Sequence, residues 1–401
     1  MESGTFPNIF YGTHARDFSD VAAKYPQRFI GLPQGDQIRI DGRHSYRYVR
    51  EGDPMWTTLH KGMMTTGRLN AALGLYEPHA AKVLGLSKGW VSHSRIVSAY
   101  EHLLDAGLAG LSQSAGQVGE DLRVMHEQVH AKAEYADNGA FNRDDEFECI
   151  KRRKSRYLQS RGDMNAVRMS WGSAQEPSTV GMLCESFEKG AYIMEAGLMA
   201  LDDDDIVNLG FDPAELPPMG STPDSMWVDC VSKEEAVRAY CALGAKQRGG
   251  FGRVIEVKNV CPFSISRNHG GKKSSKFVVR DRGPANRVLG VHVPQLQFHM
   301  LCSGTESAFL VSRSATKGTR IFEMKRDDDY IHLLLQILRE FYTAYVLKKK
   351  IPARNTFANL RVHMQMLLKT RELAYQCPLY CEIDRHKSIL HGSDKRFFID
   401  D

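Results

Sequence analysis

The sequence predicts an α/β fold of the α+β type, a mixed central sheet flanked by helices. Three observations carry this expectation. The second half reads in the order helix, strands, helix, strand, helix. The segment Arg253–Val260 alternates polar and apolar side chains at the two-residue period of a strand. The 401 residues are 42% hydrophobic and 25% charged, the balance of a globular chain able to bury a sizeable core.

Residues 1–50, rich in Gly, Asp and Arg, read as an irregular arm. Thr65 or Thr66 caps a helix carrying Leu69, Ala72 and Leu73, and Gly74 ends it. Ile96, Tyr100, Leu103, Leu104 and Leu108 mark an amphipathic helix. Residues 110–170 are polar and partly helical, which places an insertion over about residues 76–165. Val180, Leu183, Cys184, Phe187, Ala191 and Met194 form a helical stripe just after Glu176. Residues 206–211 suit a short strand, and 226–230 a second one after Pro217, Pro218 and Gly220. Residues 232–247 read as a helical or looped excursion within a hairpin, from which Gly249, Gly250 and Gly252 return the chain to the strand Arg253–Val260. Leu289, His292, Leu296 and Met300 predict a helix that accommodates Pro294 in its first turn or at a kink. Residues 306–314 and 319–324 alternate like strands. Asp327 to Asp329 then cap a long helix lined by Ile331, Leu334, Leu335, Leu338, Phe341 and Tyr345. The main domain spans 51–350, with 351–401 as a C-terminal extension.

Net charge is +5, from 53 Lys and Arg against 48 Asp and Glu, too small an excess to require a nucleic-acid partner by itself. No apolar run approaches the roughly 20 residues that span a bilayer, so no membrane is expected. The start MESGTFPNIF lacks the pattern of a secretory signal. Eight scattered cysteines read as reduced thiols, which favours an intracellular setting, whether nuclear, cytoplasmic or viral. The run Lys151-Arg152-Arg153-Lys154-Ser155-Arg156 reads as a nuclear import signal, a phosphate-contacting patch or a solvated face.

The chemistry centres on the segment RVIEVKNV. Glu256 and Lys258 share one face of that strand, and Ile255 and Val257 the other. Asp224 follows Thr222-Pro223 at the start of a neighbouring strand. Two carboxylates and a backbone carbonyl are the hard oxygen donors that Mg²⁺ prefers, and a Lys beside them can orient a water or accept its proton. Glu176 could reach the same ion directly or through water. An E-x-K triplet also arises by chance as a solvated ion pair, so the weight falls on the ordered series of motifs.

That series resembles the phage lambda exonuclease and YqaJ recombinase group of the PD-(D/E)xK nuclease superfamily. Residues 56–67 (WTTLHKGMMTTG) look like its opening W-x-x-L-R-x-G-x-x-T-A-S segment. Trp171-Gly172-Ser173-Ala174-Gln175-Glu176 is similar to its W-G-x-x-x-E helix start, and Ser221-Thr222-Pro223-Asp224 to its S-P-D-G turn. Residues 256–263 (EVKNVCPF) resemble its E-x-K-C-P-F strand with one extra residue. Gln295-Leu296-Gln297-Phe298-His299-Met300 matches its Q-x-Q-x-x-M helix, and Arg326-Asp327 its R-D-E helix entry. The likeness spans about residues 50–345. It implies a restriction-endonuclease-like core and a Mg²⁺-dependent deoxyribonuclease, with Mn²⁺ as substitute, acting as an exonuclease on double-stranded DNA ends in recombination, repair or replication. It further implies that Glu176, Asp224, Glu256 and the Val257 carbonyl serve the metal, that Lys258 activates the water, and that Gln295 holds the nucleophile or scissile phosphate. His60, Lys61, Thr65, Arg68, Lys272 and Lys273 would contact DNA. A homo-oligomer or a single-strand annealing partner would fit the same resemblance. The departures are His60 where the family has an Arg, Gly67 for Ser, Ser225 for Gly, and a longer hairpin between Asp224 and Glu256. They bear on end recognition and processivity more than on cleavage. An endonuclease on the same fold, and a nucleic-acid-binding protein with little catalysis, are the alternatives.

Two other clusters carry weaker signals. Cys377, Cys381, His386 and His391 are conceivable zinc ligands at a spacing that is not a usual finger, with a reduced, partly buried tail as the plainer reading. Asp202 to Asp205 read as a solvated turn. Lys276, Arg280 and Arg282 join Lys272 and Lys273 in a basic stretch suited to phosphate contact.

Overall fold

A computed structural model describes residues 18–32, 42–52, 54–106, 164–187, 190–230, 232–242, 252–267, 275–279, 282–315 and 317–384. In chain order the elements are α1 (Ser19–Lys24), β1 (Phe29–Ile30), α2 (Pro54–His60), α3 (Thr66–Ala72), α4 (Pro78–Val83), α5 (Ser94–Ala106) and α6 (Met164–Ser186). They continue with β2 (Ala191–Met194), β3 (Met199–Ala200), α7 (Asp203–Asn208), β4 (Gly220–Ser221), β5 (Ser225–Asp229), α8 (Lys233–Ala242), β6 (Arg253–Val260), β7 (Phe263–Arg267) and β8 (Ser275–Val279). The remainder is α9 (Val293–Ser303), β9 (Ser307–Ser314), β10 (Thr319–Lys325), α10 (Asp328–Phe341), a π-helical turn Tyr342–Val346, α11 (Arg361–Gln376) and β11 (Leu379–Ile383).

The fold is mixed α/β. Seven strands form one sheet in the order β1-β2-β5-β6-β9-β10-β11. β1/β2 and β6/β9 pair parallel and the other neighbours antiparallel, so the sheet is mixed as the sequence predicts. β6 is the middle strand. Period-two alternation gives the sheet two apolar faces. Trp227, Ile255, Val257, Phe309, Val311 and Ile321 pack under α1 and α6 with Val180 and Leu183. Met226, Val228, Val254, Ala308, Leu310 and Phe322 face the larger core built with α3, α5, α9, α10 and α11. Glu256 and Lys258 follow Val254 on that second face.

Most long elements lie where their periodicity places them, and the differences have physical reasons. Residues 206–211 are not a strand. Asp202 and Asp205 form a reciprocal capping box, and an acidic first turn favours the helix α7. The Asp202–Asp205 run is therefore no solvated turn, since Asp205 is buried against His44 Nε2 at 2.9 Å. Ala191 and Met194 leave the helical stripe for β2, after α6 ends at Ser186 and Gly190 turns at φ +117°. Helix α6 begins at Met164 and carries Pro177 internally, so Glu176 lies mid-helix rather than at its start. Pro294 falls in the first turn of α9, where its missing N–H has no intrahelical partner to lose. The excursion after Ser232 is helix α8. From residue 76 onward, the stretch read as the start of an insertion packs Ala80, Ile96, Tyr100 and Leu103 into the larger core. Within the stretch read as a C-terminal extension, β11 pairs with β10. Leu108 and the basic run 151–156 lie outside the described residues. Among the described residues no helix is long and apolar enough to cross a membrane.

One close backbone crossing ties the 42–48 segment to the sheet region. A Cβ at Gly197 would meet the Arg47 carbonyl oxygen at 2.1 Å, and the Tyr240 hydroxyl bridges the Gly197 N–H and that same oxygen. Gly197→Ala is expected to lower the thermal midpoint by several degrees, because backbone must move to admit a methyl group. Gly172→Ala, in α6 with nothing within 4 Å of the added carbon, is expected to be neutral or stabilising. Thermal melts of the two variants check the pair.

Candidate active site

The middle of β6 brings the predicted residues together. Glu256 is 4% exposed. Its Oε1 accepts from Lys258 Nζ, and from Gln295 Nε2 at 2.5 Å. His299 Nε2, fully buried, lies 3.1 Å from Glu256 Oε2. Three side chains from two elements thus converge on one buried carboxylate. Asp224 stands where the β5–β6 ladder runs out, beyond the pairing of Ser225 with Ile255. Its N–H donates to the Ile255 carbonyl at 3.1 Å, and its Oδ2 accepts the Val257 N–H at 2.5 Å. The carboxylate therefore lies against the peptide that follows Glu256.

Glu176 arrives from α6, on the other face of the sheet. Asn259 Nδ2 donates to the Gly172 carbonyl at 3.1 Å, and the Thr179 hydroxyl donates to Asn259 Oδ1 at 2.8 Å. These two bonds lock α6 onto the end of β6 and fix the side from which Glu176 acts.

The charges are coupled. Burial opposes the charged form of Glu256, yet Lys258 and then His299 outweigh it and hold the carboxyl well below the usual range. Burial likewise disfavours the Lys258 ammonium, but Glu256, then Asp224 and Glu176, raise it above an ordinary lysine. Lys258 is thus held as a protonated donor beside Glu256. Burial, and then Lys258, pushes His292 down to about 3, so it adds no positive charge at neutral pH.

The charges of three carboxylates act on one ammonium, which leaves negative charge that a hard cation would neutralise, and the carboxylates offer oxygen donors. That chemistry fits Mg²⁺. Among the described residues no group of three or more His, Cys, Asp and Glu side chains gathers as ligands to one ion. The oxygens on offer to an ion are those of Asp224, Glu256, Glu176 and the Val257 carbonyl, and Glu176 also acts on Lys258 by its charge.

The opening segment lies against the Asp224 turn. Trp56 Nε1 donates to the Thr222 hydroxyl at 3.0 Å, and the Met64 N–H donates to the Pro218 carbonyl at 2.7 Å. Trp56 stacks on His60 with ring centroids 4.3 Å apart. Thr65 is buried, its hydroxyl 3.2 Å from His60 Nε2. Arg68 donates to Ser98 Oγ at 2.9 Å, and Lys61 is exposed. Burial, then His102 and Arg68, pushes His60 down to about 4, so the ring is neutral at neutral pH. Lys272 and Lys273 lie outside the described residues.

Other motif residues are scaffold. Gln297 donates to the Lys325 carbonyl and accepts the Asp327 N–H, and Arg326 donates to the Met300 carbonyl. Together they fasten α9 to the start of α10. The Cys377 thiol donates to the Glu323 carbonyl at 3.4 Å and is pushed up to about 12 by burial, then by Glu323. Cys381 pairs with Ile321 in the sheet, and His386 and His391 lie outside the described residues. Sequence reading passed over His299 and His292 as site members. The signal was present: His292, Gln295 and His299 at i, i+3 and i+7 share one face of α9 and its entry turn.

Comparison of the chain with family models, curated proteins and solved structures found no match in any of the three.

Proposed function

We propose that the chain is a Mg²⁺-dependent deoxyribonuclease with a PD-(D/E)xK core that hydrolyses phosphodiester bonds at DNA ends. The observation that carries this reading is the convergence of Lys258, Gln295 and His299 on buried Glu256, with Asp224 against the next peptide. When bound, Mg²⁺ would neutralise charge on the attacked phosphate and acidify a water. The protein's own part is positional. Asp224 and Glu256 offer oxygens fixed by backbone and side-chain donors. Lys258 can turn an N–H toward the incoming water or a phosphate oxygen. Gln295 can exchange its bond to Glu256 for one to the nucleophile or the scissile phosphate. The mixed sheet with the E-x-K strand at its centre supports the same assignment.

Incubation of the purified chain with Mg²⁺ and matched linear and circular duplexes tests the proposal. Loss of linear DNA alone is expected. Nicking of the circle would make the enzyme an endonuclease, and no cutting of either would end the nuclease reading. His60 supplies a second check. Because it is neutral above about pH 4, His60→Arg adds a charge beside Trp56, which bonds the turn before Asp224. That variant is expected to bind duplex ends more tightly and to steepen the slope of log affinity against log salt by about 0.9.

A further inference from the structure

We infer that the loop 347–354, with Arg361 beyond it, is a second nucleic-acid surface that grips the phosphate backbone away from the cleft. No Asp or Glu occurs between Glu340 and Glu372, while Lys348, Lys349, Lys350, Arg354 and Arg361 all fall within that span. All five are exposed, and none enters an ion pair among the described residues. Their five charges equal the formal excess of the whole chain, +5. A solvated surface usually intersperses both signs. Here one sign is concentrated.

The fold holds this loop in place. It follows the π-helical turn Tyr342–Val346 and has Lys349 at φ +52° and Asn355 at φ +57°, both in the left-handed region that non-glycine residues seldom occupy. Such conformations persist where the surroundings enforce them. The Asn355 N–H donates to Glu77 Oε2 at 2.6 Å, and Asn355 Oδ1 is 3.1 Å from His79 Nδ1. Phe357 is buried, its ring 3.0 Å from where a Cβ on Gly74 would stand. His363 Nε2 donates to the Leu73 carbonyl at 2.8 Å. Pro352 and Phe357 point inward while the cations point out. A loop whose backbone is already anchored loses little main-chain freedom on meeting phosphates.

The proposed nuclease reading favours a nucleic acid over a lipid surface. Helix α3 is capped at its start by Thr65, whose hydroxyl lies beside His60, and at its end by Leu73, whose carbonyl accepts from His363 in α11. Seven residues of helix measure about 10 Å, so about that length of α3 separates the His60 end from the His363 end. The choice of DNA as the polyanion rests on the proposed nuclease reading; the charge and geometry of the loop do not. Exposed Leu347 and Ile351 are the features a membrane would use instead.

The test combines Lys348→Gln, Lys350→Gln and Arg354→Gln in the full chain, at exposed positions where folding is not at stake. Binding to a duplex of about 30 base pairs is measured against salt with divalent ions chelated, so that cleavage plays no part. The expected result is a salt slope lower by about 2.7 and affinity at moderate salt weaker by about tenfold or more. An unchanged slope overturns the inference. So does unchanged duplex binding with lost binding to phosphatidylserine-containing vesicles, which would make the loop a membrane contact. A parent chain that cuts no DNA but shows the loop-dependent slope would refute the nuclease reading and sustain this one.

Discussion

Replacing Lys258 with alanine is expected to reduce cleavage of linear duplex by about a thousandfold or more, with duplex affinity nearly unchanged. The ammonium donates to Glu256 and is raised by the charges of Glu256, Asp224 and Glu176, and under the proposed function it is the donor that would meet charge as it develops on phosphorus. Lys258→Arg is not expected to restore the rate, because a planar guanidinium cannot take the place of a compact ammonium beside Glu256. Single-turnover cleavage with Mg²⁺ is the measurement. A rate for the alanine variant within tenfold of the parent would remove Lys258 from the chemistry.

Glu256→Ala should cost stability as well as activity. Glu256 accepts from Lys258 and Gln295 and faces His299, and its side chain is 5% exposed. Truncation leaves Gln295 and His299 facing a cavity and Lys258 without its partner, a change below the roughly 3–5 kcal/mol of a fully buried pair because the Lys258 side chain is 34% exposed. Glu256→Gln keeps the volume and one acceptor and should cost less. Denaturant melts without divalent ions separate this effect from catalysis. Mg²⁺ should stabilise the parent, by about 2.7 kcal/mol at a hundredfold excess over its dissociation constant, and so raise its midpoint. Both Glu256 variants and Asp224→Asn should lose that increment. An equal Mg²⁺ shift in all four proteins would place the ion elsewhere.

The elements legible in the sequence were those with long, clean periodicity. β6, β9, β10 and α10 carry alternation or a helical stripe over enough residues to fix both type and face. The failures were local. Residues 206–211 look apolar enough for a strand, but Asp202 and Asp205 cap one another and decide for helix. The stripe through Ala191 and Met194 was overridden by Gly190. The pairing of β11 with β10 could not be read from sequence, because it depends on α11 folding the chain back. In the site, adjacency on one strand made Glu256 and Lys258 readable, and motif order supplied Asp224 and Gln295. His299 was hidden because a buried histidine on an apolar helix reads as core until its carboxylate partner is known. Gln297 and Arg326 show the reverse case, motif residues whose work is to brace α9 against α10.

The strand order has a consequence for how the chain is made. β10 forms its inner ladder with β9, yet its outer edge waits for β11, which emerges only after α10 and α11 have been synthesised. Until residue 383 clears the ribosome, each nascent copy presents a row of unpaired backbone groups to its neighbours on the same message. Stop codons placed before Leu379 should therefore yield inclusion bodies rather than a shortened soluble protein.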